Sequence, residues 1–142
     1  MTDDTWAVVA SEDDVNGSLF ALKLRGDGTN TFDFDVETSD VMNPGFLVAQ
    51  STVTAQVGVW AHLAGVYDPS ADAFLKVYVN GVLAATTDMN QPLLPASGHF
   101  VIGRGLYNGA NGSFLHGTVN DVAVYDRALT DAQVAAVYAG EQ

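Results

Sequence analysis

GVWAHLAGVYDPSADAFLKVYVNGVLAATT, residues Gly58 to Thr87, is the stretch on which the fold turns. It reads as three consecutive strands. From Gly58 to Tyr67 both alternating faces are apolar, with Trp60, Ala64 and Val66 on one side and Leu63 and Tyr67 on the other. That pattern predicts a central strand covered on both faces, with Trp60 in the core. Asp68-Pro69-Ser70 ends it, because Pro has no N–H for the ladder and Asp and Ser bond to the local backbone. Phe74 to Val79 and Val82 to Thr87 then flank Asn80-Gly81, a pair that accepts positive φ at both corners of a type I′ turn.

Working outward, Trp6 to Ala10 reads as a short strand, followed by an acidic loop through Ser11-Glu12-Asp13-Asp14 and Asn16-Gly17. Ser18 to Arg25 is a strand with Phe20, Leu22 and Leu24 on one face. Thr31 to Glu37 alternates cleanly, which places Phe32, Phe34 and Val36 inward and Asp33, Asp35 and Glu37 outward on a solvated face. Phe46 to Thr54 and Phe100 to Gly103 read as strands, Gly105 to Gly112 as a long Gly/Asn loop, and Gly117 to Tyr125 as a final long strand. Thr130 caps a short helix, with Gln133 in the reciprocal capping-box position, a stripe of Val134, Val137 and Tyr138, and Gly140 at its end. Many short strands with one terminal helix predict a single all-β domain over residues 1–142, an antiparallel β-sandwich of jelly-roll type.

The 142 residues carry no cysteine and a net charge of -12, with five basic residues scattered singly. A chain of this length buries a core without covalent staples. Without a basic patch it repels nucleic-acid phosphate and anionic membrane surfaces, so no nucleic-acid partner and no membrane insertion are expected. No apolar run reaches the length of a membrane span, and MTDDTW lacks the basic region and apolar core of a signal peptide. The expectation is that an upstream segment has been removed, that the chain leaves the cell by another route, or that it does not leave.

Two blocks carry a resemblance. Trp60-x-His62-x-Ala64-x-x-Tyr67-Asp68 with Leu75-x-Val77-Tyr78-Val79-Asn80-Gly81 resembles the laminin-G-like domains of the concanavalin-A-like lectin/glucanase superfamily. Phe114-x-x-Gly117-x-x-x-Asp121-Val122-x-Val124-Tyr125-Asp126-Arg127-Ala128-Leu129-Thr130 is similar to that family's closing strand and its turn into a short helix. The resemblance covers residues 58 to 140 best. It implies a concanavalin-A-like sandwich, and a structural Ca²⁺ for which Asp121, with Asn120, is the candidate ligand. Six to eight oxygens are needed for that ion, so one carboxylate is not enough. The Asp13-Asp14 loop is a weaker candidate. It also implies two family strands ahead of the segment that Trp6 to Leu24 resembles, one of them beside the closing strand. Their apparent absence leaves Gly117 to Tyr125 as an unpaired apolar edge, which proteins avoid. A second copy (a homo-oligomer), a partner chain or a rearranged N-terminal segment is expected to cover it.

Chemistry is sparse. Asp33-x-Asp35-x-Glu37 invites comparison with retaining glycosidases, whose two carboxyls stand about 5–5.5 Å apart. The superfamily's catalytic pattern places Glu at both catalytic positions around an Asp, and no aromatic residue interleaves with these acids on the same face, so the run reads as a solvated strand face. His62 reads as a hydrogen-bonded core residue, while His99 and His116 show no zinc spacing. No Ser sits in a nucleophile elbow. The loop Gly105 to Gly112 offers Tyr107, Asn108 and Asn111 as candidate ligand-binding residues: an aromatic ring to stack on a sugar and amides to bond its hydroxyls. The sequence is therefore read as a non-catalytic binding or adhesion module for carbohydrate or a protein surface, extracellular or on the surface of a cell or virion. The alternative is a structural or decorating protein of a larger assembly; a glycoside hydrolase comes third.

Overall fold

The computed structural model describes residues 5–70 and 74–140. Ten strands and one helix follow in order: β1 (Ala7–Asp13), β2 (Ser18–Leu24), β3 (Thr31–Glu37), β4 (Phe46–Thr54), β5 (Leu63–Asp68), β6 (Phe74–Val79), β7 (Val82–Asp88), β8 (Phe100–Ile102), β9 (Gly105–Tyr107), β10 (Ala110–Gly112) and α1 (Asp131–Tyr138). They form a five-stranded sheet, β4-β3-β2-β1-β8, a three-stranded sheet, β5-β6-β7, and the separate β9–β10 hairpin. Every pairing is antiparallel. This is the expected sandwich.

The core between the sheets follows from the alternation. Phe34, Val36 and Ala49 of the larger sheet meet Leu75, Val77 and Met89, and Tyr67 packs at their side. A second cluster joins Leu24 and Phe32 to Val79 and Leu63. Leu75 and Val77 are fully buried, each worth about 1.5–3 kcal/mol of transfer free energy. On the outer face of the small sheet, Ala64, Val66 and Tyr78 meet Val134 of α1. The helix opens with the expected capping box between Thr130 and Gln133. Gly140 follows it at φ 83°. The buried Tyr78 hydroxyl donates to the Asp131 carboxylate at 2.7 Å, tying the helix start to β6.

The β6–β7 hairpin turns as read, with Asn80 at φ 52° and Gly81 at φ 77°. Asn80 also clamps the approach to β5: its Oδ1 accepts from the His62 N–H at 2.9 Å, and its own N–H donates to the His62 carbonyl at 2.8 Å.

Several expectations are corrected. The Gly58–Tyr67 strand is shorter and lies elsewhere: β5 starts at Leu63 and pairs only with β6, so it is the sheet's outer strand. Its two apolar faces have a different cause, the opposite sheet on one side and α1 on the other. Trp60 precedes it and is 67% exposed, not in the core. The acidic stretch Ser11 to Asp13 belongs to β1; Asp13 is buried and bonded at 2.9 and 2.7 Å by both terminal nitrogens of Arg104. Gly105 to Gly112 is a hairpin, with Asn108 at φ 50° and Gly109 at φ 72° making the same corner as Asn80-Gly81. Gly117 to Tyr125 forms no strand. Its residues from Asn120 onward are all exposed, Val124 by 70%, and Asp121 sits at φ 53°. Apolar alternation does not make a strand without a neighbour to take its N–H and C=O groups.

Candidate functional site

The outward face of β3 is where the structure departs most from the sequence reading. Asp33, Asp35 and Glu37 do point away from the sandwich core, yet none is solvated: their exposures are 0%, 2% and 2%. The cover is the β9–β10 hairpin together with Trp6 and β4. The Leu106 N–H donates to Ser18 Oγ at 2.8 Å, and the Gly109 N–H to the Asn16 carbonyl at 2.7 Å. The Tyr107 ring stacks on Phe46, with centroids 6.4 Å apart. The hairpin thus leans over the larger sheet and leaves a cleft of about 480 Å³, lined by Trp6, Lys23, Asp35, Glu37, Phe46 and Tyr107 among others. This is the size of a small-ligand site, and it mixes aromatic walls with a few placed charges in the way such sites do.

The charges form a ladder between β2 and β3. Arg25 pairs with Asp33 at 2.9 Å, and Lys23 with Asp35. Lys23 also lies over two rings, its Nζ 4.8 Å from the Trp6 centroid and 5.4 Å from that of Phe46. Arg25 lies over Trp6 as well, at 4.9 Å. Glu37 has no cation, and neither of its carboxylate oxygens finds a hydrogen-bond partner among the described residues. Gly17 stands against it so closely that an added Cβ would overlap the carboxyl. Burial, and then repulsion from Asp40, Asp35 and Asp14, pushes the Glu37 carboxyl up to about 7. Burial lifts Asp33 to about 6 against the pull of Lys23 and Arg25, and it raises Asp35 as well. A buried, unpaired carboxyl is costly to keep, and such groups concentrate at functional sites.

Among the residues singled out from sequence, Tyr107 is in the cleft, half exposed at its rim. Asn108 is bound to the β3–β4 loop instead: its Oδ1 accepts from the Asn43 N–H at 2.6 Å and its Nδ2 donates to Asn43 Oδ1 at 2.9 Å. That pairing anchors the hairpin tip. Asn111, in β10, is exposed and does not line the cleft. The sequence reading missed Trp6, Lys23 and Phe46, and it weighed the acids of β3 but set them on a solvated face. The available signal was Lys23 and Arg25 at alternate positions facing the alternate acids of the next strand.

The residues at the expected calcium position do not fit that ion. Asn120 and Asp121 are exposed and bonded to each other at 2.7 Å. Among the described residues no three acidic or histidine side chains gather to hold a metal. His62 has its ring 5.6 Å from that of Tyr138 and a buried Nδ1 without a partner among the described residues; burial lowers its pKa. It is a packed histidine, and the hydrogen bonds at that residue are made by its backbone.

Comparison with known proteins bears on the fold. The Laminin_G_3 family, described as part of the concanavalin A-like lectin/glucanases superfamily, matches residues 1–135. No curated protein matches the chain. Among solved structures, an S-layer domain-containing protein from Clostridium thermocellum (residues 221–444) is 23% identical and superposes with a TM-score of 0.45. The match covers 93% of this chain and 62% of that one. With a family match over nearly its whole length, the chain belongs to the Laminin_G_3 family of the concanavalin A-like lectin/glucanase superfamily.

Proposed function

We propose that this domain is a non-catalytic carbohydrate-binding module whose ligand lies in the cleft over the five-stranded sheet. The observation that carries the reading is the cleft itself, where Phe46 and Tyr107 stand partly exposed at the rim above buried charged groups. Aromatic faces take the apolar face of a sugar ring, and fixed polar groups take its hydroxyls. Binding without turnover is favoured because Asp33 and Asp35 are held in ion pairs with Arg25 and Lys23. That leaves Glu37 as the unengaged carboxyl of the three, where a retaining glycosidase uses two. A module of this kind belongs outside the cell or on a cell surface.

The test is retention on a glycan array by the intact chain and by Trp6→Ala and Tyr107→Ala. Both variants are expected to lose at least tenfold in retention, and Asn111→Ala to lose none. Unchanged retention in both aromatic variants, or release of reducing ends from a bound polysaccharide, contradicts the reading.

One observation favours a second reading, an assembly protein. The Asn120–Tyr125 stretch exposes Val122, Val124 and Tyr125. On that reading, the chain sediments as an oligomer or with a partner chain, and Val122→Asp with Val124→Asp disperses it while leaving glycan retention intact.

A further inference from the structure

The tip of the β9–β10 hairpin is held at two points, and both lie on loops that crowd one carboxyl. The Gly109 N–H donates to the carbonyl of Asn16, in the β1–β2 loop, at 2.7 Å, and Asn108 is bound to Asn43, in the β3–β4 loop. Asp40 ties these two loops together: its carboxylate accepts from the Asn16 N–H at 2.7 Å and from the Val15 N–H at 3.3 Å. Asp14 closes the turn beneath. Its N–H donates to the Gly17 carbonyl at 2.7 Å, and its Oδ1 accepts from the Val15 N–H at 3.1 Å. Under this joint lies Glu37, 2% exposed, with Gly17 packed against its carboxyl and no hydrogen-bond partner for either oxygen among the described residues.

We propose that Glu37 is a pH-operated latch: protonated, it lets the Asp14–Gly17 turn close and hold the hairpin tip over the cleft, and ionised, it lifts the turn and lets the tip go. A carboxylate without a donor does not stay dry. Its thinnest cover is Gly17, which has no side chain, so water reaches it by displacing the turn. The surrounding charges push the same way. Asp40 and Asp14, the two acids that tether the turn, both repel an ionised Glu37, as does Asp35 on its own strand. Lys23 of β2 opposes them but is engaged by Asp35. The hairpin brings no carboxylate, lysine, arginine or histidine, since Gly105 to Gly112 reads GLYNGANG. With the turn closed, the Glu37 carboxyl is raised from 4.5 to about 7. Closure is therefore favoured fully below pH 4.5 and loses ground as pH rises through 7. The gap between the two values limits the change in the opening equilibrium to about 300-fold, complete by about pH 8. The latch acts on the cover of the cleft, whatever ligand lies beneath it.

The experiment is amide hydrogen exchange of the intact chain, followed by NMR at the Gly109 N–H at pH 5 and pH 8.5, with and without a low concentration of urea. Rates are corrected for the intrinsic base catalysis of exchange. Wild type is expected to exchange at least tenfold faster at pH 8.5 after that correction. The rise should not depend on urea, because a local opening exposes little surface. Glu37→Gln, close in shape to the native residue and unable to ionise, is expected to abolish the rise. Asp33, raised to about 6 and bound to Arg25 four residues away, titrates in both proteins and cancels in the comparison. Asp40→Asn removes one repelling charge, keeps an oxygen for the Asn16 N–H, and is expected to shrink the rise. No rise in wild type, or the same rise in both variants, overturns the latch. A rise that steepens with urea reports unfolding of the whole domain and overturns it too.

Discussion

Replacing Glu37 by Gln should stabilise this protein, and only above mildly acidic pH. The folded chain holds the carboxyl at about 7, against 4.5 for an ordinary glutamate. Folding therefore takes up a proton that the unfolded chain has released. The stability contributed by the neutral acid is fully present below pH 4.5, falls as pH rises from there through 7, and is flat beyond. At about 1.4 kcal/mol per pH unit, the gap between the two values is worth about 3 kcal/mol. Gln cannot ionise and keeps the shape, so the variant escapes this loss. Its advantage over wild type should be near zero at pH 4.5 and should grow to about 2–3 kcal/mol at pH 8. For a domain of this size that is a rise in Tm on the order of 10 °C. Asp33 and Asp35, also raised by burial, titrate in both proteins and largely cancel in the difference. The assay is urea unfolding of both proteins in half-unit steps from pH 4.5 to 8.5. A difference that does not change with pH, or a variant less stable than wild type throughout, would refute the claim that Glu37 is buried without a partner.

Two further outcomes follow from close contacts. Gly17→Ala drives a methyl into the Glu37 carboxyl and should cost about 1–3 kcal/mol by overpacking. In the Glu37→Ala background the same change should cost under about 0.5 kcal/mol, and a double-mutant cycle measured by urea melts checks the coupling. Asn80→Ala loses both the positive-φ preference at φ 52° and the side-chain acceptor for the His62 N–H. A loss of about 1–2 kcal/mol is expected in the same melts; a loss under about 0.5 would show that the turn is held by its neighbours.

The sandwich was legible wherever the signal is local. Asn80-Gly81, the alternation of Phe32, Phe34 and Val36, and the Thr130–Gln133 capping box each encode their element within a few residues. The site was not legible, because its cover comes from far along the chain. Asp33, Asp35 and Glu37 show the pattern of a solvated face until the β9–β10 hairpin is laid over them, and that hairpin is fixed by Leu106 bonding Ser18 and Gly109 bonding Asn16. Asn108-Gly109 carried the same turn signature as Asn80-Gly81, but its arms are three residues each and offer no long alternation to mark them as strands. Gly117 to Tyr125 shows the opposite failure. Its composition is strand-like, and no neighbour among the described residues completes it.

The two tryptophans give the most direct test of the carbohydrate cleft. Trp6 lines it and Trp60 stands exposed outside it. The measurement follows their indole N–H signals in a ¹⁵N-labelled sample titrated with tetramers of glucosamine, N-acetylglucosamine and glucose. The account predicts a saturable shift of the Trp6 signal, with Trp60 unmoved. A shift at Trp60 with Trp6 silent would place the sugar elsewhere, and no shift at either with any of the three would contradict the account.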